Sequence, residues 1–336
     1  METVDVERPN SEFSPVSQCS ALPDIFRSMR TPTIELATVL KQLTKTKLNK
    51  ASGPDELSPV VLKIFKPDGT FLSSIGDLGS TGDRLISPFD LTITISGDVF
   101  VSDYQLEEVR IFSLDGHPKG TLTSEPFKHP RGVASGFGLV AVVDSRRRRV
   151  GLYDLRCDSK SIVLNIPLAT THTDADTLSN VRPSLTEPYY VELIECGSGY
   201  VAVTDWAAPS LKLYSMNTGS CVSMAGGYGT GLDQMLQPYG LVHMTREKRL
   251  LIADHVNHRI QCASIQSITD PSAYGLGMEV NVGDSMKFCT LGSLYPVADK
   301  VTNSIWHPMA LAVDERRKRI VVTEALGSIK VFSMTT

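Results

Sequence analysis

The sequence predicts an all-β ring of repeated small sheets, a β-propeller, behind a polar N-terminal arm. Three observations predict it. From residue 58 onward, short runs rich in β-branched and aromatic residues alternate with Gly, Asp, Asn and Pro. Five stretches share one grammar, their opening prolines spaced 42 to 70 residues apart. Each stretch holds three or four short strands, a single sheet that cannot bury both faces without a neighbour on each side.

Residues 1–57 carry Pro9, Pro15, Pro23, Pro32 and Pro54 among many Ser and Thr, with few aromatics, a composition that buries too little to order itself. A disordered arm is expected there. Within it, Leu36, Val39, Leu40 and Leu43 recur at helical intervals, so a short helix is expected over residues 34–48. The ring is expected over residues 58–336. At its start, Leu62-Lys63-Ile64-Phe65 and the following KPDGTFLSSIG read as third and fourth strands of a repeat whose first two strands are missing. Two closures follow. Six blades with an imperfect sixth is the expectation, and five blades, with TFLSSIG completing the blade opened by Pro308, is the alternative.

In the five full repeats, Pro88, Pro130, Pro188, Pro238 or Pro308 opens a first apolar strand. A second strand ends 14 to 17 residues later on Asp103, Asp144, Asp205, Asp254 or Glu324. A third begins six residues on, five in the last repeat, at Val109, Val150, Leu211, Ile260 or Ile329. A less regular fourth follows. Residues 167–186 and 269–303 lengthen two blade-to-blade connections, and long loops on a rigid ring commonly carry specificity. The acid recurs in every repeat, which points to structural work in every blade rather than to catalysis.

This grammar resembles the NHL-repeat family, whose repeat reads P-x-G-[IV]-A-V-D, then [IV]-x-V-[AT]-D, then N-x-R-[IV]-x-V-F. Pro238 to Ile260 is the closest copy in the chain, with IADHVNHRI matching nearly residue for residue, and the likeness runs from about Leu62 to Met334. The resemblance implies the propeller seen in tripartite-motif NHL and Brain tumor-like proteins. Those repressors hold RNA on the face built from second-to-third turns, and the resemblance implies the same candidate surface here.

Alternation of strand direction sorts the charges by face. Arg246 to Arg249 and Glu315 to Arg319 lie in first-to-second turns on one face; Arg146, Arg147, Arg148 and the run His255 to Arg259 lie in second-to-third turns on the other. That second face also carries Phe89, Arg131, Tyr189 and Tyr239, which follow the repeat prolines, together with Tyr104 and Trp206. Aromatic rings among basic turns suit a single-stranded nucleic acid, because bases stack on rings while cations neutralise phosphates. The candidate contact residues are therefore Tyr104, Arg131, Arg146, Arg147, Arg148, Tyr189, Trp206, Tyr239, His255, Asn257, His258 and Arg259. The repeat calls for a cation before the third strand, so Arg149 and Arg259 are expected to pair with the periodic aspartates. Glu107, Glu108, Asp174 and Asp176 share the face and are expected to oppose a polyanion.

With 33 Lys and Arg against 37 Asp and Glu, the net charge of −4 excludes a generic polyanion binder, so nucleic-acid affinity has to be local. The six cysteines lack zinc-finger spacing and framework clustering, so reduced, packed thiols are expected. His255 and His258 have no third ligand placed by sequence, and nucleophile elbows and phosphate loops are absent; the Gly226 to Gly231 run lacks a lysine and reads as a connection between blades. The expectation is a non-enzyme without metal or cofactor, a recognition module for single-stranded RNA in post-transcriptional regulation. The alternative is a protein-docking propeller presenting substrates to a ubiquitin ligase complex. Neither an apolar span nor a secretory signal is present in the sequence, so no membrane partner and a cytoplasmic location are expected.

Overall fold

The computed structural model describes residues 62–65, 71–75, 84–123, 125–156, 162–166, 184–195, 199–267, 286–294 and 305–333. The expected arm over residues 1–57 and its helix over 34–48 lie outside the described residues. Strands β1 (Leu62–Phe65) and β2 (Phe71–Ile75) form a hairpin. The first blade is β3 (Pro88–Ile93), β4 (Val99–Asp103), β5 (Glu108–Phe112) and β6 (Pro118–Thr121). The second is β7 (Pro130–Gly136), β8 (Leu139–Asp144), β9 (Arg149–Asp154) and β10 (Ile162–Ile166). The third is β11 (Pro188–Ile194), β12 (Tyr200–Asp205), β13 (Ser210–Ser215) and β14 (Cys221–Gly226). The fourth is β15 (Pro238–Met244), β16 (Arg249–Asp254), β17 (Arg259–Ser267) and β18 (Met286–Leu294). The fifth is β19 (Pro308–Asp314), β20 (Arg319–Glu324) and β21 (Ile329–Ser333).

These five antiparallel sheets make a five-bladed propeller, the alternative rather than the six-bladed expectation. The six-bladed count required a sixth sheet, and among the described residues, beside five sheets of three or four strands, β1 and β2 form only a two-stranded hairpin. Its closing role also differs from the alternative, since β2 pairs with β1. Part of the stretch expected to be an insert, residues 269–303, is the fourth strand β18.

Burial explains the strand patterns. Second strands β8 (LVAVVD) and β12 (YVAVTD) are buried at every position because each is covered by a neighbouring blade on both faces. Outer strand β6 (PKGT) is exposed at every position and polar, as an edge should be. Apolar clusters fill successive seams: Phe100, Val109 and Ile111 against Val133 and Val142; Leu152 and Ile166 against Leu193 and Val203; Leu211 and Leu213 against Leu241 and Leu250; Leu251 and Ile260 against Leu311 and Ile320. Each fully buried Val, Leu or Ile contributes roughly 1.5–3 kcal/mol. The hairpin lays Leu62 and Ile75 against Leu91, Val101 and Phe112 of the first blade. Inner strands pack so closely that a Cβ at Gly132 would lie 2.6 Å from the Tyr190 Cα.

Each repeat proline sits opposite the periodic acid, and the register slips directly after it in all five blades. A bulge suits proline, which has no N–H to give the ladder. The acid meanwhile holds the chain leading into the first strand. The N–H two residues before the proline donates to it in every blade, from Ile86 (2.6 Å), Lys128 (3.0 Å), Thr186 (2.7 Å), Leu236 (2.8 Å) and Trp306 (2.8 Å).

A cation completes the arrangement in four blades: Arg147 on Asp144 (2.7 Å), Lys212 on Asp205 (2.6 Å), Arg259 on Asp254 (2.7 Å) and Lys330 on Glu324 (2.7 Å). In the first blade the N–H groups of Gln105 and Leu106 donate to Asp103 instead, each at 3.1 Å. Replacing Asp254 by Ala strands Arg259, whose side chain is 3% exposed, and is expected to cost about 3–5 kcal/mol in urea unfolding. Arg156→Ala breaks a pair whose arginine is 70% exposed and is expected to cost under about 1 kcal/mol. Equal losses would show that the periodic pair is not what fixes the blade.

Candidate nucleic-acid interface

The bulge after each proline turns the next side chain toward one mouth of the ring, where Phe89, Arg131, Tyr189 and Tyr239 converge from four blades. Phe89 on the first blade lies 5.6 Å from Tyr189 on the third, ring centre to ring centre, although the second blade stands between them in sequence. Such a contact crosses the axis. Tyr189 is the hub, with Tyr239 at 4.8 Å edge-on and Trp206 stacked at 5.9 Å. Burial raises its hydroxyl pKa well above the ordinary tyrosine value.

Arg131 lies flat on this hub. Its guanidinium carbon is 3.7 Å from the Tyr189 ring centre and about 6 Å from those of Phe89 (6.0 Å) and Tyr104 (5.9 Å). Nη2 donates to Glu187 at 2.9 Å, while Nε and Nη1 are buried without a hydrogen-bond partner. Ring faces therefore carry much of the stabilisation of this cation.

Around the plug runs a second tier of rings. Tyr104 packs on His129 (4.3 Å), Tyr239 on His255 (4.6 Å), His255 on His307 (4.6 Å) and His258 on Trp306 (5.9 Å). Tyr104, Trp206 and His255 all follow a periodic acid, and His129 and His307 all precede a proline, so the tier is built from equivalent positions. Trp306, His307 and His129 were not among the residues selected from sequence. Trp306 precedes its proline by two positions, where the other blades carry Ile86, Lys128, Thr186 and Leu236; that contrast is the signal that could have found it.

The basic turns divide. Arg148 adopts the left-handed conformation (φ 53°) after a single 3-10 turn, Ser145–Arg147. That turn brings Arg147 back onto Asp144 and the Pro126 carbonyl (3.1 Å), which raises its pKa, so Arg147 joins Arg149, the expected partner, whose guanidinium pairs with Asp144 at 3.6 Å. Arg146 and Arg148 are exposed and form no ion pair among the described residues. Arg259 is buried on Asp254 and on the carbonyls of Thr230, Gly231 and Gln234, and Asn257 binds Gly229 and Asp254. These two hold the glycine-rich connection in place and have little left to offer a ligand.

The acids are less opposed to a polyanion than expected. Lys128 lies 2.6 Å from Glu107 and keeps its carboxyl below the usual range, and Arg110 lies 3.0 Å from Glu108. Asp174 and Asp176 lie outside the described residues. Among the described residues no three His, Cys, Asp or Glu are placed to hold a metal ion. Cys221 and Cys262 are free, and burial pushes the Cys221 thiol up to about 11.

No family model and no curated protein matches the chain. Solved structures do. A catalytically inactive virginiamycin B lyase from Staphylococcus aureus with quinupristin aligns at 13% identity and TM-score 0.47, covering 82% of this chain and 78% of that one. A nidogen/laminin complex aligns at 15% and 0.43, covering 74% and 80%. The selenomethionine form of the same lyase aligns at 12% and 0.45, covering 82% and 78%. The five sheets themselves define the class, a β-propeller, and these distant likenesses carry nothing about ligand or chemistry.

Arg131→Ala removes the cation from the hub and leaves Glu187 without it. The expected loss in denaturant unfolding is about 1–2 kcal/mol, and Arg131→Lys is expected to recover less than half, lacking the flat guanidinium. An unchanged midpoint for Arg131→Ala would mean that the plug does not depend on the stacked cation.

Proposed function

We propose that the chain is a non-enzymatic recognition propeller that holds single-stranded RNA across this mouth, in post-transcriptional regulation. One observation carries the reading: rings line the mouth from His129 and Tyr104, across the Arg131 guanidinium to Tyr189, and on through Tyr239, His255 and His307 to Trp306, on the same face as Arg146 and Arg148, which are exposed and form no ion pair among the described residues. Bases stack on such rings for about 1–3 kcal/mol each, and the cations meet phosphates. The plug of Phe89, Arg131, Tyr189 and Tyr239 supports the non-enzymatic part, because it fills the axis on the side where a channel substrate would enter. Among the described residues no helix is long and apolar enough to cross a membrane.

A protein-docking propeller serving a ubiquitin ligase complex is the second reading. Exposed Met224, Tyr228 and Leu232, on β14 and the loop after it, favour it.

Titrating the full chain into a labelled random single-stranded RNA pool separates the two. RNA binding is expected to weaken between about 50 and about 200 mM salt, and the logarithmic salt slope to flatten by about 0.7 for each of Arg146 and Arg148 replaced by Ala. Trp306→Ala is expected to weaken binding by at least about fivefold at both salts. Absent or salt-insensitive binding would sink the RNA reading and leave docking.

A further inference from the structure

The fourth and fifth blades meet at the mouth through three imidazoles. His255 and His307 lie 4.6 Å apart, His258 and His307 4.1 Å, ring centre to ring centre. Their hydrogen bonds fix the neutral forms. His255 Nδ1 is 3.1 Å from the Pro308 carbonyl oxygen; a carbonyl can only accept, so Nδ1 carries the proton. The His307 N–H donates to His258 Nδ1 at 3.1 Å, so that nitrogen carries none. His307 Nδ1 is buried without a partner.

Among the described residues no carboxylate is left over to serve them as a counter-ion. The charged and titratable groups at the mouth end of the strands around the cluster are Tyr239 on β15, Asp254 on β16, Arg259 on β17, Glu324 on β20 and Lys330 on β21; His243, Arg249, Asp314 and Arg319 stand at the far ends of β15, β16, β19 and β20, and Cys262 lies within β17. Asp254 accepts from Leu236, Asn257, Arg259 and Gln261. Glu324 accepts from Trp306, Ser328 and Lys330. Both acids are matched by their own cations, so among the described residues neither is left to balance an imidazolium formed here, and the position is open to an outside anion.

We propose that His255, His258 and His307 form a proton-dependent subsite for a phosphodiester group, flanked by Tyr239 and Trp306 as stacking rings. The subsite rests on the RNA reading only for the molecule that owns the phosphate. His255 and His258 both pack on the His307 ring. Burial and the neighbouring imidazoles lower the pKa of His255 and His258 below the ordinary 6.5, with Asp254 pulling His255 slightly the other way. A lowered pKa means that the unfolded chain takes up protons first, so stability without an anion falls as pH drops below about 6.5. A bound phosphate stabilises the imidazolium form and opposes that loss.

Two measurements on the full chain test this. In the first, imidazole NMR titrations are run in inorganic phosphate and in chloride at matched ionic strength. The titration midpoints of His255 and His258 are expected to rise in phosphate, and His307→Asn is expected to abolish the response of both. Asn tolerates the positive φ of His307 (43°), so the turn is kept. In the second, a labelled oligouridylate is titrated at pH 7.5 and pH 5.5 over a salt series, and the salt slope is expected to steepen by about 0.7 for each imidazolium engaged. Identical midpoints in phosphate and chloride would overturn the subsite. A phosphate response without oligouridylate binding at either pH would overturn the RNA reading and leave the subsite standing. Oligouridylate binding with the same slope at both pH values would overturn the subsite alone.

Discussion

The whole ring depends on one buried carboxylate per blade. A second strand covered on both faces has no water at its end, yet the chain must turn there into the third strand while another segment arrives to begin the first. The periodic acid meets both needs by accepting the N–H two residues before the proline and a cation or turn amides from the other side. An ionised acceptor makes stronger bonds than a carbonyl would. Because the paired cation comes from the same blade, the charge is compensated locally, and Asp205 and Asp254 can be fully buried with Lys212 and Arg259 at 3% exposure.

From that constraint follows the shape of the candidate site. Proline opposite the acid forces a register slip, and the slip rotates the next residue out of the alternation that would have buried it in a seam. What would be a defect in one blade becomes, over four, a convergent set of side chains at the mouth. The residue after the proline differs from blade to blade: Phe89, Arg131, Tyr189, Tyr239 and Met309 occupy one structural position with different chemistry. Tyr189 and Arg131 show how far this goes, since a cation stacked on a ring replaces the hydrogen bonds that two of its nitrogens lack.

The repeat prolines, acids and third strands were legible because they recur, and a recurring residue betrays its role through its spacing. The number of blades was not. It depends on what precedes β1 and on which strand β2 joins, and both are pairing choices between distant segments that no local pattern encodes. β18 was hidden because its pairing with β17 joins segments separated by a long connection, which no local pattern in MKFCTLGSL encodes. The pairing of Arg149 with Asp144 was legible from the repeat, but the addition of Arg147 was not, because a single 3-10 turn, with Arg148 left-handed, swings that side chain back onto the same carboxylate. The contact of Phe89 with Tyr189 spans the axis and was invisible to any reading along the chain, whereas Trp306 stood out of its column and could have been found.

Net charge is a poor guide to what such a ring can bind. The chain carries −4 overall, yet among the described residues Glu107, Glu108 and Glu187 at the mouth each have a cation within 3.0 Å. A paired carboxylate contributes a short-range dipole rather than a monopole, and beyond a Debye length of about 8 Å at physiological salt even that is screened. What an approaching polyanion feels is the remainder, the exposed guanidiniums of Arg146 and Arg148 and the rings beside them. Local pairing thus separates the two demands on charge: solubility is set by the whole surface, and recognition by the few groups the fold leaves uncompensated.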